Sequence, residues 1–130
     1  MNRHIAHISL LVNDYDEAIE FYTSKLHFIL IEDTVLSETK RWVLIAPSKT
    51  SDCCILLAKA ATEDQKVSVG NQSGGRVFLF LYTDDFQRDY QNLLDQKVEI
   101  VRQPSVEEYG QVAVFKDLYG NLWDLIEPRS

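Results

Sequence analysis

His7 is a side chain whose type and position in a predicted strand could support metal-binding chemistry. It stands in the alternating run from His4 to Val12, which is rich in residues that favour β-strands. A neutral imidazole can bind a divalent metal ion, and it can also occupy a buried position when its ring is hydrogen-bonded. The neighbours of His7 therefore decide between a metal site and a polar group in a core.

No nucleophile with a base beside it is recognisable in the sequence. Cys53 and Cys54 are adjacent, and a strand would send their side chains to opposite faces. No basic residue nearby favours a thiolate, so a structural role is predicted for both. Glu107 and Glu108 have the chemistry of a general base, but an acidic pair in a loop is more often simply solvated. The sequence therefore assigns no catalytic residue.

The composition restricts the classes of partner. The 130 residues contain 20 acidic and 13 basic side chains, which gives a net charge of −7 without a basic cluster, so nucleic-acid binding is not expected. No apolar run approaches the roughly 20 residues of a membrane span, and acidic residues interrupt the N-terminal run too early for a signal peptide. Together with two adjacent cysteines that cannot form a disulfide framework, these features predict a cytoplasmic protein.

The elements that position these side chains follow one order in the first half of the chain. A strand from His4 to Val12 leads into a helix whose start is marked by Asp14 and Glu17, in the manner of a capping box. Three further strands are predicted after it: FILIEDTVL, RWVLIAP and CCILLAKA. The first half therefore reads as a βαβββ module over residues 1–61.

The second half repeats this order after a polar, glycine-containing linker over residues 62–74. Its first strand is predicted from Arg76 to Tyr82, and Asp84 or Asp85 caps its helix. Its later strands are predicted in VEIVRQP, QVAVFKD and NLWDLIEP. An offset of about 70 residues superposes the halves, as in a duplicated unit. Residues 75–130 thus form a second module of a single 1–130 domain.

Three sequence features occur together with this duplication: the pair HI in the first strand, the pair FY in the first helix, and the C-terminal strand GNLWDLI. In this combination the chain resembles the vicinal oxygen chelate (VOC) superfamily, which includes glyoxalase I, extradiol dioxygenases, and the bleomycin and fosfomycin resistance proteins. The resemblance implies an α+β fold in which two βαβββ modules form a curved mixed sheet around a cleft, in a homodimer. It is specific for the fold and less so for the function.

The helix ends depart from the family pattern. The superfamily commonly has glycine in the L-G-F sequence that ends the first helix, where a left-handed cap is needed. Here His27 occupies that place, and Lys97 occupies the matching place in the second half. Histidine tolerates positive φ better than most residues do, so His27 is predicted to be a strained cap rather than a ligand.

Members of the superfamily that use a metal hold it through the first and last strands of both modules. The resemblance places His7, Leu56, Phe78 and Asp124 at these four positions. Only His7 and Asp124 can bind a metal ion, whereas catalytic zinc sites typically have about three protein ligands. No cofactor is therefore expected, with a divalent metal as the alternative. In the metal-free case His7 is buried and hydrogen-bonded, for example to Asp124.

Without a metal, the resemblance places Phe78 in the cleft, and the strand face that contains Phe78 is aromatic. Residues two apart on a strand share a face, so one face of the predicted strand carries Arg76, Phe78, Phe80 and Tyr82. Tyr109 lies in the predicted loop PSVEEYGQ. The predicted ligand-binding residues are Trp42, Leu56, Arg76, Phe78 and Tyr109. The preferred function is binding of a small hydrophobic or aromatic molecule. One alternative is a metal-dependent lyase, similar to lactoylglutathione lyase, or a dioxygenase. The other is a dimeric protein without a ligand.

Overall fold

The computed structural model describes residues 1–129, and residue 130 of the predicted second module lies outside them. The chain divides into two compact units, Met1–Val69 (the first unit) and Gly70–Ser130 (the second unit), and their boundary falls inside the segment predicted as a linker. Among the helices of residues 1–129, none is long and apolar enough to cross a membrane.

The first unit contains one four-stranded mixed sheet. Its elements are β1 (His7–Val12), α1 (Tyr15–Glu20) continued by a π-helical turn (Phe21–Lys25), β2 (Ile29–Val35), β3 (Arg41–Ala46), β4 (Cys54–Lys59) and α2 (Glu63–Ser68). The strand order is β1-β4-β3-β2, in which β1 and β4 are parallel and the other neighbours are antiparallel. Because parallel strands need a long crossover, the helix and two strands lie between β1 and β4 in sequence.

The second unit has the same topology. Its elements are β5 (Val77–Tyr82), α3 (Phe86–Asp95), β6 (Ile100–Glu107), β7 (Gly110–Lys116) and β8 (Leu122–Pro128). The strand order is β5-β8-β7-β6, and the edge strand β5 is again parallel to its neighbour β8. The predicted α+β fold of two βαβββ modules is therefore confirmed.

The main helices begin and end as the sequence predicts. Asp14 accepts a hydrogen bond from the Glu17 backbone N–H at 2.8 Å, and Asp85 accepts one from the Arg88 N–H at 3.1 Å. The predicted left-handed cap is confirmed at His27, where φ is 59°. Lys97 has nearly the same value, 58°. Both units thus end their main helix on a non-glycine residue with positive φ.

The predicted linker contains a helix that the sequence analysis did not identify. Thr62 Oγ1 accepts the Gln65 N–H at 3.1 Å, and Gln65 Oε1 accepts the Ala61 N–H at 2.7 Å and the Thr62 N–H at 3.5 Å. This reciprocal arrangement is the capping box that opens α2. The spacing of Thr62 and Gln65 was a readable signal, but the polar composition of the segment favoured a linker.

The predicted loop PSVEEYGQ is also different in the structure. Strand β6 continues through Pro104 as far as Glu107, and Glu108 and Tyr109 form a tight turn into β7. The register shifts between Arg102 and Ser105, so Pro104 lies at an irregularity of an edge strand, where a missing N–H donor is tolerated. A strand with such a bulge resembles a loop in sequence.

The core of the first unit lies on the sheet face that α1 covers. Helix α1 contacts β3 and β4, and the alternate side chains on that face are almost completely buried. They are Leu10, Val12, Val43, Ile45 and Leu57. The opposite face of this sheet carries the row Ser9, Leu56 and Leu44, which are neighbours across the strands. The predicted site residues His7 and Leu56 therefore lie on the face away from α1.

Candidate binding cleft

A cleft opens in the first unit where two neighbouring strands separate. Pairing between β3 and β4 extends from Ile45 and Ile55 to Val43 and Leu57 and is not continued further. Beyond that pair, Arg41 and Trp42 of β3 and Ala58 and Lys59 of β4 line a cleft of about 580 Å³. Helix α2 and the turn between β2 and β3 complete its walls.

The cleft wall combines apolar and polar side chains. Its apolar part includes Leu11, Trp42, Leu56 and Ala58. Its polar part includes Tyr15, Lys40, Arg41, Lys59 and Gln65. A mainly hydrocarbon surface with a few directed polar groups is the usual composition of a small-molecule site.

Tyr15 takes the place of a strand partner in the gap. It is the first residue of α1, directly after the Asp14 cap, and is only 8% exposed. Its hydroxyl accepts the backbone N–H of Arg41 at 3.3 Å. The Arg41 guanidinium carbon lies 5.1 Å from the centre of the Tyr15 ring, a cation–π distance. The first residue of α1 thereby contacts the first residue of β3.

Arg41 is held by two carboxylates. Its Nη2 lies 2.6 Å from Asp33 Oδ2, its Nε lies 3.1 Å from Asp33 Oδ1, and its Nη1 lies 2.9 Å from Asp16 Oδ1. The hydrogen bonds from Arg41 hold the pKa of Asp33 below its usual value. In turn, the hydrogen bonds to Asp33 and Asp16 raise the pKa of the Arg41 guanidinium above its usual value. Two acidic neighbours offset the positive charge of Arg41.

The structure brings together two of the predicted ligand-binding residues, Trp42 and Leu56, which line the same cleft. The His7 ring lies 5.9 Å from the Trp42 ring, edge-on at an interplanar angle of 74°. His7 is exposed, so its interpretation as a buried, hydrogen-bonded histidine is wrong. The physical reason is its place as the first residue of β1, an edge strand of the sheet.

The predicted aromatic strand of the second unit is interrupted. Strand β5 begins at Val77, after Arg76, and its register with β8 shifts between Val77 and Leu79, at Phe78. The prediction of one uninterrupted face from Arg76 to Tyr82 is therefore wrong, because a bulge breaks the alternation of side chains. Phe78 and Arg76 do not line the cleft of the first unit.

Asp124 lies opposite Phe80 in the sheet of the second unit, and the row continues through Val114 to Arg102. Burial raises the pKa of the Asp124 carboxyl, and the positive charge of Arg102 partly opposes this. Tyr109 lies in the turn between β6 and β7 with 59% of its surface exposed, and its carbonyl accepts the Arg129 N–H at 3.1 Å. It does not line the cleft either.

The four positions implied by the family resemblance do not fit a metal ion. They supply one imidazole, one carboxylate and two hydrocarbon side chains: His7, Asp124, Leu56 and Phe78. Within residues 1–129, no group of three or more His, Cys, Asp or Glu side chains is placed to hold a metal. A leucine and a phenylalanine offer no lone pairs, so this donor set falls short of the three protein ligands of a typical catalytic zinc site.

Sequence reasoning missed the polar residues of the cleft: Tyr15, Lys40, Lys59 and Gln65. Gln65 had a readable signal in its capping box, which would have predicted α2. Tyr15 had none, because its hydrogen bond joins residues 26 positions apart across a gap that only the folded sheet creates.

Comparison with known proteins identifies the fold family and several relatives. The model of the Glyoxalase/Bleomycin resistance protein/Dioxygenase superfamily matches residues 4–125. A protein of Shewanella frigidimarina (strain NCIMB 400) is 55% identical, over 98% of this chain and 95% of its own length. The crystal structure of UcmS2 has a TM-score of 0.85 at 26% identity and covers 98% of this chain and 99% of its own.

A second solved structure with a similar fold is that of a binding protein. TnmS3, described as an antibiotic binding protein from Streptomyces sp. CB03234, has a TM-score of 0.81 at 27% identity. The match covers 98% of both chains. The likeness to TnmS3 thus extends over nearly the whole length of each protein.

Proposed function

Because this chain belongs to the Glyoxalase/Bleomycin resistance protein/Dioxygenase superfamily, we propose that it binds a small aromatic molecule in the cleft of its first unit. The cleft between β3 and β4 is the observation that carries this proposal. Its volume of about 580 Å³ lies within the range of roughly 300–1,000 Å³ for small-molecule sites. The relative TnmS3, described as an antibiotic binding protein, supports a binding role in this branch of the fold.

The aromatic character of the ligand follows from the cleft wall. Trp42 provides a large flat ring, and Leu11, Leu56 and Ala58 provide hydrocarbon beside it. Offset or edge-on contact between aromatic rings contributes about 0.5–1.5 kcal/mol beyond the burial of area. A flat organic ring therefore gains more from this wall than a flexible chain of the same size.

Binding is proposed to occur without a metal ion, since the four implied positions supply only two donor side chains. Metal analysis of protein purified without chelators or a metal-affinity tag tests this point, with the His7→Ala variant as control. One ion per wild-type chain and none in His7→Ala would contradict metal-free binding and favour the metalloenzyme alternative.

The working form is proposed to be a cytoplasmic homodimer. Exposed apolar side chains on the edge strand β2, among them Leu30, Ile31 and Val35, support association with a second copy. Cys53 and Cys54 are both free thiols, which suits a reducing compartment. Sedimentation of the purified protein tests the dimer, and a monomer at all concentrations would contradict it.

The binding proposal is tested by thermal shift with a set of flat aromatic compounds, followed by titration calorimetry. A ligand at 100 times its dissociation constant stabilises the folded state by about 2.7 kcal/mol. Trp42→Ala is expected to weaken binding about 30-fold, the effect of losing a contact of about 2 kcal/mol at the centre of a site.

The matched control is Tyr82→Ala, which removes an exposed aromatic ring outside the cleft, 67% exposed on β5. It is expected to leave binding unchanged. Equal losses in Trp42→Ala and Tyr82→Ala would place the ligand elsewhere, and no stabilisation by any compound would reject the proposed function.

A further inference from the structure

We infer that the ligand of the cleft is an aromatic anion whose negatively charged group, such as a carboxylate, lies beside Lys40 and Lys59. This inference rests on the proposed function and specifies its ligand class. It reverses the simplest expectation for a chain with a net charge of −7, which would favour cationic ligands.

The charge of the cleft wall is opposite to that of the whole chain. Acidic side chains outnumber basic ones by 20 to 13 in the sequence. The described residues of the cleft wall nevertheless include Lys40, Arg41 and Lys59 and not one Asp or Glu. A wall that carried a sample of the average surface would contain more acids than bases, so its basic character is a local property of the cleft.

The two lysines differ from the arginine in their partners. The guanidinium of Arg41 is already paired with Asp33 and Asp16. Within residues 1–129, neither Lys40 nor Lys59 forms an ion pair with a carboxylate. Both side chains are exposed, so their ammonium groups remain hydrated and mobile until an anion offers them a fixed partner.

The neutral polar groups of the cleft also act as donors. The Tyr15 hydroxyl accepts the Arg41 backbone N–H, which leaves its own proton for a further acceptor. Gln65 Oε1 accepts the N–H groups of Ala61 and Thr62, so the amide Nε2 is the part of that side chain left to donate. Two ammonium groups, a hydroxyl and an amide N–H match a ligand group that is rich in lone pairs and negatively charged.

The body of the ligand is set by the apolar part of the same wall. Trp42 and Leu56 lie on the sheet face away from α1, whereas Tyr15 and Arg41 meet at the end of the sheet where the strands separate. A molecule with a flat ring at one end and a carboxylate at the other places each part against the chemistry that suits it. A cation in the same pose would meet two lysines and no carboxylate of the described cleft wall.

The test uses three probes that share one ring system and differ in charge: naphthoate, naphthylmethanol and naphthylmethylammonium. Dissociation constants are measured by titration calorimetry on the full chain. Naphthoate is expected to bind at least about tenfold more tightly than the alcohol, the usual gain of a charge-assisted hydrogen bond, and the ammonium probe is expected to bind most weakly. Added salt is expected to reduce the preference for naphthoate.

The double variant Lys40→Gln/Lys59→Gln is expected to bind naphthoate and the alcohol within about twofold of each other. Lys49→Gln is the matched control, since it removes the same charge from an exposed lysine outside the cleft and should keep the preference. The substituted lysines are all exposed, so each variant is expected to fold, and circular dichroism is the measurement that checks this.

Two results overturn the inference while the proposed function stands. They are equal affinity for all three probes, and a preference for naphthoate that persists in Lys40→Gln/Lys59→Gln. If none of the three probes binds, the inference and the proposed function are rejected together.

Discussion

The contact between Tyr15 and Arg41 is expected to stabilise the first unit at the open end of its sheet. Tyr15→Phe removes only the hydroxyl that accepts the Arg41 backbone N–H and keeps the ring beneath the guanidinium. At 3.3 Å this hydrogen bond is slightly long, so its net contribution is placed at about 1 kcal/mol of unfolding free energy. Tyr15→Phe is therefore expected to lower the free energy of unfolding by about that amount.

Tyr15→Leu removes the ring as well as the hydroxyl, so its comparison with Tyr15→Phe gives the contribution of the ring. The ring is only 8% exposed, and its loss also removes the cation–π contact with Arg41, which contributes about 0.5–1 kcal/mol. Together with the hydroxyl and the reduced apolar burial, the total cost is expected to be about 3 kcal/mol. The two variants thus predict a ratio of about one to three.

The measurement is urea-induced unfolding followed by tryptophan fluorescence in a Trp123→Phe background, so that Trp42 is the sole reporter. Tyr109→Phe is the control, because that side chain is 59% exposed and its hydroxyl is expected to contribute nothing measurable. The reasoning is refuted if Tyr15→Phe is as stable as its parent, or if it costs as much as Tyr15→Leu.

Two further predictions concern stability. Gly70→Ala is expected to lower the free energy of unfolding by at least about 3 kcal/mol, because φ is +78° and the new Cβ would lie 1.8 Å from the Tyr119 carbonyl oxygen. Gly74→Ala has a similar φ of +67° but no atom within 4 Å of the new Cβ, so it should lower the free energy of unfolding by only about 1–2 kcal/mol. Equal losses in urea titrations would argue against the clash. The hydrogen bond from Arg41 lowers the folded pKa of Asp33, so its stabilisation is complete above the usual value of 3.8 and is lost as the pH falls through the lower folded value. Asp33→Asn should therefore flatten the acid limb of the curve of stability against pH, and an unchanged limb would contradict this assignment.

The fold was predictable because its determinants are local and are repeated. The alternation around His7 and the caps at Asp14 and Asp85 each act within a few residues, and the same pattern occurs twice. The positive φ of His27 could be predicted because a helix end requires that conformation, whichever residue supplies it. Duplication reinforced each of these signals with a second, independent instance.

The remaining features depend on contacts between distant segments. Pro104 lies in a strand because β7 pairs on either side of it, which no window around the proline reveals. The bulge at Phe78 is visible only in the register with β8. The family resemblance led to Leu56, and the alternation of the strand RWVLIAP led to Trp42. The donors around them belong to a gap between two strands, and the place where a ladder ends is not encoded in either strand alone.

The open end of the β3–β4 ladder has a consequence for how such proteins diverge. Hydrogen bonds between paired strands come from the backbone and persist through most substitutions, so the paired part of the sheet changes little from one sequence to the next. At the gap, β3 remains paired with β2, but the Arg41 N–H is bonded to the Tyr15 hydroxyl, which a single codon change removes. Point mutations can thus change the width and polarity of the cleft while the paired strands stay intact. New ligand preferences can therefore evolve on this fold without a change in the topology of its sheet.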